Sequence, residues 1–194
     1  MKSTGKDRIL ESAKQLISEK GIAQTSVREI AKVAGVTTGA IYHHYKNKEE
    51  LLYAVMNTSL SESHKILENC TNNSTNYDIL EDVIKSFTDR FNKESENKIQ
   101  LYLTVLGLEG NEEVKNKISC TYTTWISDIA KLITLAYNDI TLDKADTLGT
   151  ILLATIDGLV LQELISGNVS SNKNIIDVFD VLLKKAIPEV IKHI

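Results

Sequence analysis

At 194 residues the chain is long enough for one large or two small domains, and 42% hydrophobic residues are enough to bury a substantial core. One proline and nine glycines argue against a β-rich or disordered chain, and Cys70 and Cys120 form neither a CxxC pair nor a zinc spacing, so they read as free thiols. The net charge of −4 is uneven: residues 1–50 carry a net +3 and residues 51–194 a net −7, which suits a basic nucleic-acid-binding end on an acidic body.

The opening MKSTGKDR lacks the apolar stretch of a signal peptide, and no uninterrupted run of 18 apolar residues occurs anywhere. A cytoplasmic protein with no membrane partner is therefore expected. Residues 1–6 read as a loose tail in which Lys2 and Lys6 could reach a phosphate or the minor groove. A first helix is predicted from about Lys6 to Lys20, with Ile9, Leu10, Ala13, Leu16 and Ile17 on one stripe. Gly21 stops it, and Lys20 sits in its last turn as the macrodipole prefers.

Ser26 to Tyr45 reads as two short helices with a tight turn between them. Ser26 and Glu29 have capping-box spacing, Val27, Ile30, Ala31 and Ala34 form a buried side, and Gly35 ends the first of the pair. Thr37 caps the second, which is anchored by Ile41 and Tyr45. At about 100° per residue, Gly39 and His43 lie opposite Ile41, flanked by Tyr42 and Ala40, with Thr37 and Thr38 at the N-terminal end. This outward face has no acidic residue and offers hydroxyls, an imidazole, a methyl and bare backbone, all suited to a DNA groove. Mid-helix glycine costs about 1 kcal/mol against alanine, so close approach of a phosphate or base edge would explain Gly39. Asn47 is predicted to cap a fourth helix, with Lys48 in its first turn. A cation there opposes the helix dipole unless a phosphate docks at the same end.

These residues together, I-L-E-S-A at 9–13, Gly21, S-V-R-E-I-A-K-V-A-G-V at 26–36, T-x-G-x-I-Y-x-H-Y at 37–45 and K-x-K-E-E-L at 46–51, resemble the DNA-binding domain of the TetR family of bacterial transcriptional regulators. Thr38 stands where the family often has Lys, and Tyr45 where it usually has Phe. The resemblance implies an all-α protein with a three-helix helix-turn-helix head over residues 1–47, a connecting helix over 48–69, and an effector-binding and dimerisation domain over 70–194. It implies that Arg28, Thr37, Thr38, Gly39, Ala40, Tyr42, His43, His44 and Lys48 meet double-stranded operator DNA. The function expected is that of a repressor released from a palindromic operator by a small lipophilic or aromatic effector. The alternative is a helical protein-binding scaffold without DNA binding.

Beyond a polar, turn-rich loop at 70–76, further helices are predicted at about 77–93, 97–108, 112–137, 143–166 and 173–192, about nine in all, with Pro188 ending or kinking the last. The breakers between them are Glu109-Gly110-Asn111, Asn138-Asp139 and Gly167 to Asn172, and Asp157-Gly158 interrupts the helix over 143–166. The sequence has no HExxH, G-x-S-x-G, P-loop or GxGxxG motif. No catalytic residue, metal site or cofactor is therefore expected, and the chain does not read as an enzyme. The family resemblance places a small-molecule pocket among the body helices, and His64, Tyr102, Leu106, Tyr122, Trp125 and Ile126 are its candidate liners. Helix 143–166 is apolar almost all round and helix 173–192 across roughly 140°, wider than the ~100° one core needs. This surplus predicts a homodimer through a four-helix interface that includes Leu152, Ile156, Leu159, Phe179, Leu183 and Ile187.

Overall fold

The computed structural model of the chain describes residues 4–70, 74–137, 140–171 and 173–193. The Lys2 arm, part of the 70–76 loop, the Asn138-Asp139 breaker and Asn172 lie outside them. The described chain is helical: α1 (Gly5–Gln24), α2 (Val27–Ala34), α3 (Thr38–His44), α4 (Lys48–Leu60), α5 (Glu62–Asn69), α6 (Asn76–Phe91), α7 (Glu94–Leu108), α8 (Glu112–Ala136), α9 (Leu142–Ser166), α10 (Lys173–Val181), a π-helical turn (Leu182–Ala186) and α11 (Ile187–Ile191).

The chain divides into two compact units, one of residues up to Leu60 with Lys93–Ser119, the other of Ser61–Asn92 with Cys120–Ile194. The expected division at residues 47 and 70 differs, because α7 packs with α1 and α4, and the first turns of α8 meet α7 and α4. The core of the first unit contains Ile9, Ala13, Ile17, Ile30, Ile41, Leu51, Leu52, Val55, Met56, Ile99 and Leu103, all at most 1% exposed. A polar seam borders it: Ser95, Glu96, Asn97 and Gln100 of α7 are buried, Glu96 beside Lys14 at 3.6 Å, and Lys93 Nζ donates to the Ser59 carbonyl at 2.6 Å.

In the second unit Phe87 stacks on Phe179 with ring centroids 3.8 Å apart and meets Phe91 edge-on at 5.1 Å. Ile79, Ile133, Leu148, Leu152, Val160, Leu183 and Ile187 close around them. α9 runs unbroken, so Asp157-Gly158 does not interrupt it; the Asp157 carboxylate instead accepts from the Tyr122 hydroxyl at 2.7 Å. By length and composition α9 could cross a membrane, and 22% of its apolar window is buried. Isolated polar residues interrupt every run of 18, and a core helix passes the same test of length and composition.

Two other expectations change. The fourth helix does not continue to residue 69: it ends at Leu60 and α5 restarts after Ser61. The last helix is not simply kinked at Pro188 but accommodates it with a π turn. Ile187 N–H bonds to the Leu182 carbonyl, five residues back. The next such donor would be Pro188, which has no N–H. The Leu183 carbonyl accepts instead from the Tyr137 hydroxyl at 2.7 Å.

Candidate nucleic-acid interface

The first unit builds the helix-turn-helix largely as its local chemistry dictates. Thr4 and Asp7 form a capping box at the start of α1, a Thr-x-x-Asp signal that the sequence reading passed over. Gly21 breaks the helical path with φ 81°. Ser26 accepts from Glu29 N–H, and the Glu29 carboxylate accepts in return from the Ser26 backbone at 3.0 Å. Lys20 hydrogen-bonds to Glu29 rather than to the end of its own helix, so it ties α1 to α2. That bond and those from Ser26 lower the Glu29 carboxyl from its usual 4.5 to about 2.

Gly35 takes the left-handed conformation, φ 65° and ψ 38°, which L side chains rarely adopt. Val36 N–H can then return to the Ala31 carbonyl at 3.0 Å, and the chain turns within two residues into Thr37, whose hydroxyl accepts from Ala40 N–H at 3.1 Å. Ile41 and Tyr45 are buried beneath α3 at 1% and 6% exposure. The Tyr45 hydroxyl is buried without a hydrogen-bond partner among the described residues, and burial raises its pKa.

The opposite face of α3 is open. Thr37, Gly39, Tyr42, His43 and His44 are exposed, as is Arg28 on α2, while Thr38 and Ala40 are half-buried. The His43 and His44 rings meet edge-on at 5.2 Å. A Cβ on Gly39 would meet nothing closer than Thr37 Oγ1 at 3.7 Å, so no packing within the chain requires glycine there.

Asn47 caps α4 as expected, accepting from Glu50 N–H at 2.8 Å. Lys48 has a protein partner that sequence could not reveal. Its ammonium donates to the Ile22 carbonyl at 2.6 Å, near the end of α1, and burial lowers its pKa. A half-buried carbonyl near a helix end thus gives a cation in the first turn of α4 a partner within the chain. A cleft of about 520 Å³ lies on the same unit, lined by residues that include Arg8, Gln15, Val33 and Ser95.

The six expected pocket liners divide between the units. Tyr102 and Leu106 are half-buried in the first. In the second, Trp125 is 4% exposed and meets the Tyr122 ring edge-on at 5.8 Å. Ile126 is half-buried beside them in sequence, and the Arg90 guanidinium lies 3.7 Å from the Asp157 carboxylate that holds Tyr122. The His64 side chain is 57% exposed, with Nδ1 3.3 Å from the buried Asp128 carboxylate.

The expected dimer residues all lie in the second unit. Leu152, Phe179, Leu183 and Ile187 are buried in the core of the second unit, and Ile156 and Leu159 are packed against it. The helical wheel measured the width of the apolar arc but could not say which part its own chain covers. The exposed apolar stripe is Ile151, Leu161 and Ile165 on α9, with exposed Ala154 and Gly158 between them, and Val178 and Val181 on α10.

A capped two-helix element with an open, acid-free face, joined to a helical body, defines a helix-turn-helix regulator. The family described as bacterial regulatory proteins, tetR family, matches residues 9–55. The HTH-type transcriptional regulator TtgR of Pseudomonas putida is 37% identical over 86 residues, 44% of this chain and 40% of TtgR, so that match spans less than half of the relative. The negative transcriptional regulator IcaR of the Staphylococcus epidermidis biofilm operon is 30% identical over 160 residues, 76% of this chain and 78% of IcaR. Salmonella enterica GusR shares the fold, with a TM-score of 0.68 at 20% identity over 92% of this chain and 93% of that one. The chain belongs to the TetR family of bacterial transcriptional regulators.

Proposed function

We propose that the chain is a repressor that binds a palindromic operator as a two-fold homodimer and leaves it when a small lipophilic or aromatic effector enters the body. The observation that carries the reading is the outward face of α3. Exposed Thr37, Gly39, Tyr42 and His43 present hydroxyl, imidazole and bare backbone with no carboxylate among them, on a helix whose other side is pinned by Ile41 and Tyr45. Arg28, Thr38, Ala40 and His44 border that face. Lys48 supports it from behind, holding α4 to the end of α1. The second copy would cover the stripe of Ile151, Ala154, Gly158, Leu161 and Ile165 on α9 with Val178 and Val181 on α10, where small residues allow two helices to cross closely. Trp125 and Tyr122 supply aromatic surface for an effector, and Tyr122 a polar tip.

Selection of duplexes from a random library by the purified chain, followed by footprinting, tests the reading. The expected result is an inverted repeat with half-sites spaced by helical turns and a dimer bound. A single asymmetric half-site with one chain bound overturns the two-fold reading, and failure to enrich any duplex overturns DNA binding.

A further inference from the structure

We infer that Lys117, in the second turn of α8, is a positioning residue for the DNA-binding face: through Glu50 it holds the backbone that leaves α3, so α8 couples that face to the body. This rests on the DNA-binding reading above.

The two carboxylate oxygens of Glu50 face different partners. One accepts from Lys46 N–H at 2.7 Å, in the segment between α3 and α4, and the other from Lys117 Nζ at 2.7 Å. Glu113, one turn before Lys117, closes the ring. Its carboxylate lies 3.4 Å from Lys117 Nζ and 3.5 Å from Lys46 Nζ. Lys117 also lies 6.0 Å from the centre of the Tyr53 ring. An isolated exposed ion pair does little, but Lys117 and Glu50 are only 34% and 28% exposed, and Glu50 also bonds to backbone. Their mutual hydrogen bond lowers the Glu50 pKa and raises that of Lys117.

The start of α8 is itself fixed. Asn111 Oδ1 accepts from Val114 N–H at 3.1 Å, and a Cβ on Gly107 would come within 3.0 Å of Lys115 Cα, so glycine at 107 lets the two helix backbones touch. Fixed there, α8 delivers Glu113 and Lys117 to the segment that follows α3.

The chain passes between its two units three times. At Leu60/Ser61 the helix is broken, and at Asn92/Lys93 the chain is between α6 and α7. At Ser119/Cys120 it is inside α8, which continues unbroken. The fourth helix, the connector expected from sequence, therefore ends where the first unit ends, whereas α8 carries both Lys117 and Trp125.

The test uses the full chain and a duplex selected by it from a random library, with emission from Trp125, the one tryptophan, as reporter. Adding the duplex is expected to change Trp125 emission in the wild type. Lys117→Met should weaken duplex binding about tenfold and abolish the emission change at saturating duplex. Lys117→Arg should restore both. In the free protein, amide exchange over residues 46–51 should be about tenfold faster in Lys117→Met. If Lys117→Met is misfolded by circular dichroism, Glu50→Gln, which keeps an acceptor for Lys46 N–H but loses the charge, is read in the same way. A wild type that binds the duplex with silent Trp125, or a variant with full emission response and unchanged exchange, overturns the inference while leaving DNA binding intact. A wild type that selects no duplex overturns the DNA-binding reading itself, and this inference with it.

Discussion

Two buried tyrosines carry opposite expectations. The Tyr45 hydroxyl has no partner among the described residues, whereas the Tyr137 hydroxyl supplies the hydrogen bond that Pro188 cannot give to the Leu183 carbonyl. Tyr45→Phe should therefore be neutral or stabilise by up to about 1 kcal/mol, because it removes an uncompensated desolvation. Tyr137→Phe should cost about 1–3 kcal/mol by leaving a buried carbonyl unpaired. Urea midpoints measured in parallel check both; equal shifts would mean that neither hydroxyl acts as its surroundings indicate. Gly39→Ala should raise stability by about 1 kcal/mol, since a methyl fits, yet weaken operator binding if backbone approaches DNA there. Lys48→Met should lower stability by about 1–2 kcal/mol through loss of the Ile22 bond and leave the salt dependence of DNA binding unchanged. A fall in that slope of roughly one per subunit would show instead that the ammonium neutralises a phosphate in the complex. Glu29, held at about 2 against the usual 4.5, is more acidic folded than unfolded. Its contribution is complete above pH 4.5 and is lost as pH falls toward 2, so acid unfolding of Glu29→Gln should depend less on pH across that window.

At the scale of helices, the proposed association rests on the exposed face of α9. Its apolar positions recur along one side at Ile151, Ala154, Gly158, Leu161 and Ile165, and a Cβ on Gly158 would meet nothing within 4 Å in the chain. Gly158→Glu should therefore leave the folded chain intact, as judged by its helical circular dichroism, while converting a dimer to a monomer in sedimentation. A variant still dimeric at micromolar concentration would move the interface off this face. The sequence made α9 legible as a helix with surplus apolar surface, because periodicity and length are local properties. It did not distinguish Leu152 from Ile151: both are large and aliphatic, and only the packing of α6, α8 and α10 determines which is covered. The π turn was hidden for a similar reason. Pro188 announces a defect, but whether the helix kinks or takes an extra residue into one turn depends on whether a donor such as Tyr137 lies opposite.

For the whole molecule, the proposed two-fold regulator makes a reciprocal demand. An effector that lowers operator affinity by a given factor must have its own affinity lowered by that factor when operator is bound. Titration of aromatic compounds against free and operator-bound chain, followed by Trp125 emission, should show this equality, and a compound bound equally in both states is not the effector. Trp125→Phe with Tyr122→Ala should abolish binding of a confirmed effector; unchanged affinity places the pocket elsewhere. The amino-acid sequence by itself determined the head, because caps, Gly35, the 3.6-residue stripes and the outward set of α3 are set by neighbours within a few positions. It also determined most helix spans and the charge contrast between the two ends. Only the tertiary structure decided that the fourth helix breaks at Ser61, that Lys48 serves a carbonyl of α1, that Leu152, Phe179, Leu183 and Ile187 fill the core of their own chain, and that Lys117 reaches Glu50 from 67 positions away. Each of these depends on which surfaces remote segments bring together, and no local spacing encodes that.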